Sequence, residues 1–263
     1  MVPVPTVLRT DLLYGYYGCL NEQVAETINH INLFMDSQFN GPDKTVQNIL
    51  AAKLPTMLDV SYQVFAFPPG GQLRILSPQA EPNLRAYFLM LQSKGALRSI
   101  KFIYPLDEPN ISMEIPADLL TGITIIKRVA AEFPEIVGVK YVAIYSTAAP
   151  YVALDQYDII GIDNYDEKSG ILTGPEYTSL KAHLLPGQKT ILVPGGAARW
   201  SQDPVPFVNF AETNPEVAIV MPFLWFDSKD GSDSTLGIRS GPLKQVYINA
   251  GKLIISASPP ASP

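Results

Sequence analysis

Residues 100–110 read "IKFIYPLDEPN": five strand-forming residues, two more apolar ones, then two adjacent carboxylates and a proline. An apolar run bounded by turn residues is the pattern of a buried strand. Ending that strand on Asp107 and Glu108 sets two charges where the chain leaves the core, and burying adjacent carboxylates that do nothing is costly. The stretch therefore predicts a strand whose C-terminal end carries chemistry.

Seven further runs share its character: "LLYGYYG" (12–18), "INHINLFMD" (28–36), "TMLDVSYQVF" (56–65), "VKYVAIYS" (139–146), "YDIIGIDNY" (157–165), "KTILVPGG" (189–196) and "VAIVMPFLWF" (217–226). Each is followed by turn residues and a segment long enough for a helix. Two of these segments, "NLRAYFLMLQSKGA" and "ADLLTGITIIKRVAAEF", repeat apolar residues at three- and four-residue spacing, the second after Pro116, where a first-turn proline is tolerated. Strands apolar on both faces and alternating with helices imply parallel pairing, because the crossover helices cover the sheet. Eight such units in about 250 residues predict an α/β protein of (β/α)8 TIM-barrel type. One catalytic domain is expected over residues 1–255, with a Pro/Ser-rich tail at 256–263. A doubly wound sheet is the alternative, but no GxGxxG and no GxxxxGK[ST] follows any strand. The long segment 67–83 is expected to wall a cleft.

Composition narrows the function classes. The chain has 263 residues, 47% hydrophobic and 17% charged, with a net charge of −6 and no Lys/Arg cluster, so it lacks the basic face that nucleic acid requires. No apolar run reaches the roughly 18 to 20 residues of a membrane span, and "MVPVPTVLRTDLL" does not read as a signal peptide. The single Cys19 cannot form an internal disulfide. His30 and His183 have no Cys or carboxylate at ligand spacing, so neither a catalytic metal nor a cofactor is expected. A monomer is expected.

In a TIM barrel the active site lies at the C-terminal strand ends. Here those ends present Tyr14, Tyr16 and Tyr17 on the first strand, Asp36 and Gln38 on the second, and Asp59 and Tyr62 on the third. Asp107 and Glu108 follow on the fourth, Tyr145 on the fifth, and Asp163, Asn164, Tyr165 and Asp166 on the sixth. The seventh offers Gly195 and Gly196, the eighth Trp225 and Asp227. Glycosidic cleavage needs a proton donor and a second group at the anomeric carbon. Aromatic faces stack on sugar rings while Asp, Asn and Gln bind hydroxyls, so an acidic floor with aromatic walls suits a carbohydrate. Neighbouring carboxylates at an apolar rim resist double ionisation, which keeps one protonated and makes Glu108 the better donor.

The motifs resemble barrel glycoside hydrolases. "LYGYYG" and "HINLF" look like the first two strands of family 18 chitinases and related endo-N-acetylglucosaminidases, "IDNYD" like that family's sixth-strand segment, and "PFLWF" like its eighth strand. That resemblance implies Glu108 as acid, Tyr165 and Asp166 holding the substrate's acyl group, and Trp225 flooring a subsite. The family's aspartate-x-aspartate-x-glutamate motif is absent. The adjacent Asp107 and Glu108 are similar instead to the pair of family 20 hexosaminidases, in which the aspartate orients an acetamido nucleophile. "LDEPN" also resembles the asparagine-glutamate-proline motif of the large retaining clan, but that clan's seventh-strand nucleophile is missing from "LVPGGAARW".

Two routes follow: attack by the substrate's own N-acetyl group, assisted by Asp107 or Asp166, or inversion with Glu108 as acid and Asp163 or Asp166 as base. The expectation is a glycoside hydrolase with Glu108, Asp107, Asp163, Tyr165 and Asp166 as catalytic groups. Tyr14, Tyr16, Asp36, Gln38, Asp59, Tyr145, Asn164, Trp225 and Asp227 are expected to bind substrate, with an N-acetylhexosamine-containing glycan favoured. Glycan hydrolases usually meet substrate outside the cytoplasm, so an extracytoplasmic location is favoured. The alternatives are a catalytically silent carbohydrate-binding barrel and an aldolase or isomerase with a phosphate site at Gly195–Gly196.

Overall fold

Eight β-strands form where the apolar runs predict them: β1 Leu13–Tyr14, β2 Phe34–Asp36, β3 Thr56–Asp59, β4 Ile100–Tyr104, β5 Lys140–Tyr145, β6 Ile159–Ile162, β7 Lys189–Leu192 and β8 Val217–Val220. This computed structural model describes residues 9–19, 23–36, 41–146, 150–163, 165, 175–230 and 233–257. The expected residues Gln38, Asn164 and Asp166, and tail residues 258–263, lie outside them.

All eight strands are parallel, in the order β1–β8–β7–β6–β5–β4–β3–β2. The outermost two meet: the Asn32 and Leu33 amides donate to the Tyr14 carbonyl at 3.0 and 3.1 Å, and Cys19 bridges Asp36. The sheet therefore closes into a TIM-type barrel, which leaves no unpaired edge.

Alternation along the strands sorts the core into two layers. Leu33, Met35, Met57, Phe102, Val142, Ile144, Ile191 and Ile219 pack together inside the barrel. Their neighbours Phe34, Leu58, Ile103, Ala143, Ile160, Leu192 and Val220 pack outward against the helices. Gly161 permits close strand approach, since a Cβ there would lie 2.5 Å from the Ile191 carbonyl oxygen.

The helices are α1 Val24–Thr27, α2 Pro42–Ala52, α3 Ala80–Ser93, α4 Pro116–Ala130, α5 Pro175–His183, α6 Val205–Thr213 and α7 Lys244–Ala257, besides a single helical turn at Ser61–Val64 directly after β3. Helix α4 starts at Pro116, carries Asp118 in its first turn and Lys127 and Arg128 in its last, and buries Leu119, Ile123, Ile126 and Ala130 along one stripe. Each of the leucine and isoleucine side chains contributes about 1.5–3 kcal/mol on burial. No helix among the described residues is long and apolar enough to cross a membrane.

Three expectations change. The run 28–36 is a strand only over its last three residues, because the amide of His30 closes a turn on Thr27 before the chain extends. Between β5 and β6 the described residues form a single 3-10 turn, Leu154–Gln156, and no α-helix. Segment 67–83 supplies the turn and second strand of a short hairpin that pairs Phe65–Ala66 with Ile75–Leu76, and it docks on the loop after β4 by Arg74 N to Ser112 O at 2.8 Å and Glu114 N to Arg74 O at 2.9 Å.

Candidate active site

Strand β4 points Phe102 and Tyr104 into the barrel, and the chain then turns across its mouth. The turn is tightly bonded. The Ile111 and Ser112 amides both donate to the Glu108 carbonyl at 3.0 Å, and the Ser112 hydroxyl donates to the Asp107 carbonyl at 2.7 Å. Asn110 ties it to the end of β5, giving an N–H to the Ser146 carbonyl at 3.0 Å and accepting the Ser146 amide at 3.2 Å. Glu108 itself sits at φ +43°, a left-handed conformation that costs about 1–3 kcal/mol without glycine and concentrates at functional sites.

The three carboxyls of the mouth form one cluster. Asp107 accepts the Tyr104 hydroxyl at 2.6 Å and a second phenol from Tyr17. Burial nonetheless lifts its proton affinity above the ordinary carboxylate range, against those two donors and the more distant positive charge of Arg74. The Glu108 and Asp163 carboxyls lie within hydrogen-bonding reach of each other, with a protonated Asp163 placed to donate to Glu108, so the two titrate as a pair. Burial raises both affinities, Asp163 well above the usual range, and the charges of the neighbouring acids add to the effect.

Above the acids lies a cavity of ≈190 Å³, walled by Tyr17, Tyr165, Trp200 and Phe223, with Arg199 at its rim. Tyr165 stacks on Phe223 with ring centres 5.3 Å apart and meets Trp200 at 4.4 Å, and its hydroxyl reaches Asp163 at 3.4 Å. The exposed Arg199 guanidinium lies 3.9 Å from the Trp200 ring centre.

Gly195 makes this arrangement possible, because a Cβ there would fall 2.9 Å from Tyr165 and 3.0 Å from Trp200. The end of β7 is thus filled by aromatics, and no carboxylate fits in its place. A Cβ on Gly196 would fall 2.5 Å from Ile238, so this glycine permits close packing of the loop before α7. Gln202 joins the two strand ends, accepting the Gly195 amide at 2.6 Å and donating to the Tyr165 carbonyl at 3.1 Å.

Asp107, Glu108, Asp163 and Tyr165 thus meet in one cavity, and several other expected residues do not reach it. Trp225 is fully buried on the outer side of β8, against Tyr16 at 4.6 Å and His30 at 5.4 Å, with its indole N–H on Glu26. Tyr14 and Tyr16 share that layer, and the Tyr14 hydroxyl donates to the Tyr247 carbonyl at 3.1 Å. Tyr145 also faces outward, its hydroxyl bonded to the Val152 carbonyl. Asp227 orders the loop after β8 by accepting the Gly237 amide at 2.8 Å and the Ser240 hydroxyl at 2.7 Å. Asp36 and Asp59 line a separate cavity over β2 and β3.

Residues missed in the sequence are Tyr104, Phe223, Arg199 and Trp200. Strand parity could have found the first: Tyr104 shares the face of Phe102. Trp200 and Arg199 follow β7 in a loop whose course no periodicity foretells.

No protein-family model matches the chain, and no curated protein matches it in sequence. Solved structures do share its fold. A GH2 beta-galacturonidase from Eisenbergiella tayi superposes with a TM-score of 0.59 at 8% identity over 94% of this chain and 51% of its own. A Bacteroides uniformis beta-glucuronidase gives 0.57 at 12% identity over 94% and 35%. A GH113 beta-1,4-mannanase gives 0.54 at 9% identity over 94% and 99%. The chain spans about half or less of the length of the first two. At these identities the likeness establishes the barrel.

Proposed function

We propose that this barrel is a glycoside hydrolase in which Glu108, sharing its proton with Asp163, is the general acid. The observation that carries the reading is that carboxyl pair, bonded side to side beneath a cavity walled by aromatic rings. A carboxyl that keeps its proton near neutral pH can deliver it to a glycosidic oxygen as the bond to the anomeric carbon breaks. The leaving group departs as an alcohol, and Asp107, oriented by two phenols, faces the positive charge that develops on the sugar. The activities named for the structural neighbours, galacturonidase, glucuronidase and mannanase, support the same reaction class.

The contact between Glu108 and Asp163 bears on mechanism. Inversion by a carboxyl pair needs about 6.5–9.5 Å for an intervening water, and double displacement about 5–5.5 Å. A hydrogen-bonded pair offers neither, and Gly195 leaves no nucleophile at β7. Attack by the substrate's own N-acetyl oxygen, aligned by Asp107, needs no carboxylate nucleophile and favours an N-acetylhexosamine-containing glycan.

Wild type and Glu108→Gln are to be compared on a panel of glycans and aryl glycosides. Loss of the acid is expected to lower the rate by about 10²-fold or more. Equal rates, or no turnover of any sugar by wild type, would overturn the assignment. The absence of a β7 carboxylate favours a second reading, a carbohydrate-binding barrel without turnover. Oligosaccharide binding by calorimetry that is unchanged in Glu108→Gln, with no hydrolysis, is the result that would establish it.

A further inference from the structure

A second cavity, of ≈220 Å³, opens over the ends of β2 and β3, and the acid chemistry above makes no use of it. Its floor is a bonded polar network. Asp36 accepts the Thr45 hydroxyl at 2.6 Å, Thr45 in turn bonds Tyr87, and Asp59 accepts the Ser61 amide at 2.8 Å. Its rim carries Tyr62, 50% exposed, together with the half-buried amide of Gln63. The Arg74 guanidinium lies 4.6 Å from the Tyr62 ring centre, which braces the ring at the rim.

The two cavities are neighbours. Asp59 pairs in register with Tyr104, the phenol that holds Asp107; it feels the charge of Asp107, and its own charge is felt by the Tyr17 hydroxyl in the catalytic wall. A ligand seated at Glu108 and extended toward β3 would pass over Asp59 into the second cavity. The chemistry there is that of a neutral polyol: carboxyl oxygens and an amide for hydroxyls, and an exposed ring for the apolar face of a sugar. Asp36 and Asp59 make it a poor seat for an anion.

We propose that the β2–β3 cavity is a second saccharide subsite, so that the protein holds an oligosaccharide across the barrel mouth with one unit at Glu108 and another against Tyr62 and Gln63. The ligand class rests on the glycoside-hydrolase reading above, and the subsite itself on the cavity and its lining.

The test is calorimetric titration of the full chain carrying Glu108→Gln with chito-oligosaccharides of two to six units, and in parallel with β-1,4-manno-oligosaccharides of the same lengths. The expected result is that affinity for one series rises by at least about tenfold from the shortest to the longest member, about 1.4 kcal/mol. Adding Tyr62→Ala or Gln63→Ala, both at the rim and outside the packed core, is expected to bring that ratio toward one. A flat dependence on length, a gain that persists in both variants, or no binding by either series would overturn the subsite. The catalytic assignment is read separately, from wild-type turnover. Hydrolysis without length dependence removes the subsite and keeps the reaction; length-dependent binding without hydrolysis keeps the subsite and removes the reaction.

Discussion

The carboxylates at the barrel mouth and those on the α3–α4 face are the same chemical group in opposite circumstances. Glu81 and Glu132 sit on the surface between two guanidiniums: Arg85 bonds Glu81 at 2.8 Å and Glu132 at 2.7 Å, and Arg128 also bonds Glu81. The hydrogen bonds from Arg85 hold both carboxyls below the usual range. At the mouth, Asp107, Glu108 and Asp163 are half-buried, have one another for neighbours, and form no ion pair among the described residues. Their proton affinities rise. A surface network of this kind does little beyond modest local support. A half-buried cluster of acids costs folding energy and is worth keeping where a proton must be handed over.

The largest expected effect separates the two regions directly. Glu108→Gln is expected to cut glycan hydrolysis by about 10²-fold or more, while Glu132→Gln leaves kcat and KM at wild-type values. Similar losses in both would erase the distinction. The second test reads stability against pH. Asp59 is pushed from 3.8 up to about 7, by burial first and by the charge of Asp107. An acid whose affinity is raised by folding holds its proton more tightly in the native state, so its favourable contribution is present below about pH 4 and is lost as pH rises toward 7. Urea denaturation is expected to show this decline, at up to about 1.4 kcal/mol per pH unit for one such group, and a shallower one in Asp59→Asn. A slope that stays the same in Asp59→Asn would place the raised affinity elsewhere.

Asp163→Asn sharpens the same point, since the amide imitates the neutral acid. It is expected to fold with stability within about 1 kcal/mol of wild type at pH 7 while losing the shared proton. The pH–rate profile should accordingly lose or shift its basic limb. An unchanged profile would remove Asp163 from the acid pair. The smallest effect belongs to the surface. Glu81→Gln is expected to leave the urea midpoint almost unchanged at neutral pH. Because Arg85 lowers the Glu81 affinity, its small contribution is present above the unfolded value of 4.5 and is lost as pH falls through the lower native value, the reverse of Asp59.

Much of the frame was legible because its signals are local. Apolar runs ending in turn residues located all eight strands, the stripe on residues 117–133 located α4, and the position of Asp107 and Glu108 after a buried strand located the mouth. The aromatics were harder. Tyr16 and Tyr17 are adjacent, yet one packs outward on Trp225 and the other lines the cavity. Alternation puts consecutive side chains on opposite faces, but the chain alone does not say which parity faces the barrel interior. Beyond the strand ends parity lapses altogether. Phe223 joins the cavity, whereas Trp225, whose amide donates to the Tyr17 carbonyl at 3.2 Å, packs behind it.

By itself the sequence determined the eight-fold alternation, the acids at the end of β4 and the lack of any carboxylate at the end of β7, because each is written within a few consecutive residues. The tertiary structure alone decided that Glu108 lies beside Asp163, 55 positions away, and that Trp200 rather than Trp225 walls the cavity. A proton affinity depends on which groups lie within a few ångströms and how much water is excluded, and both are fixed only when the barrel closes and brings distant strand ends together.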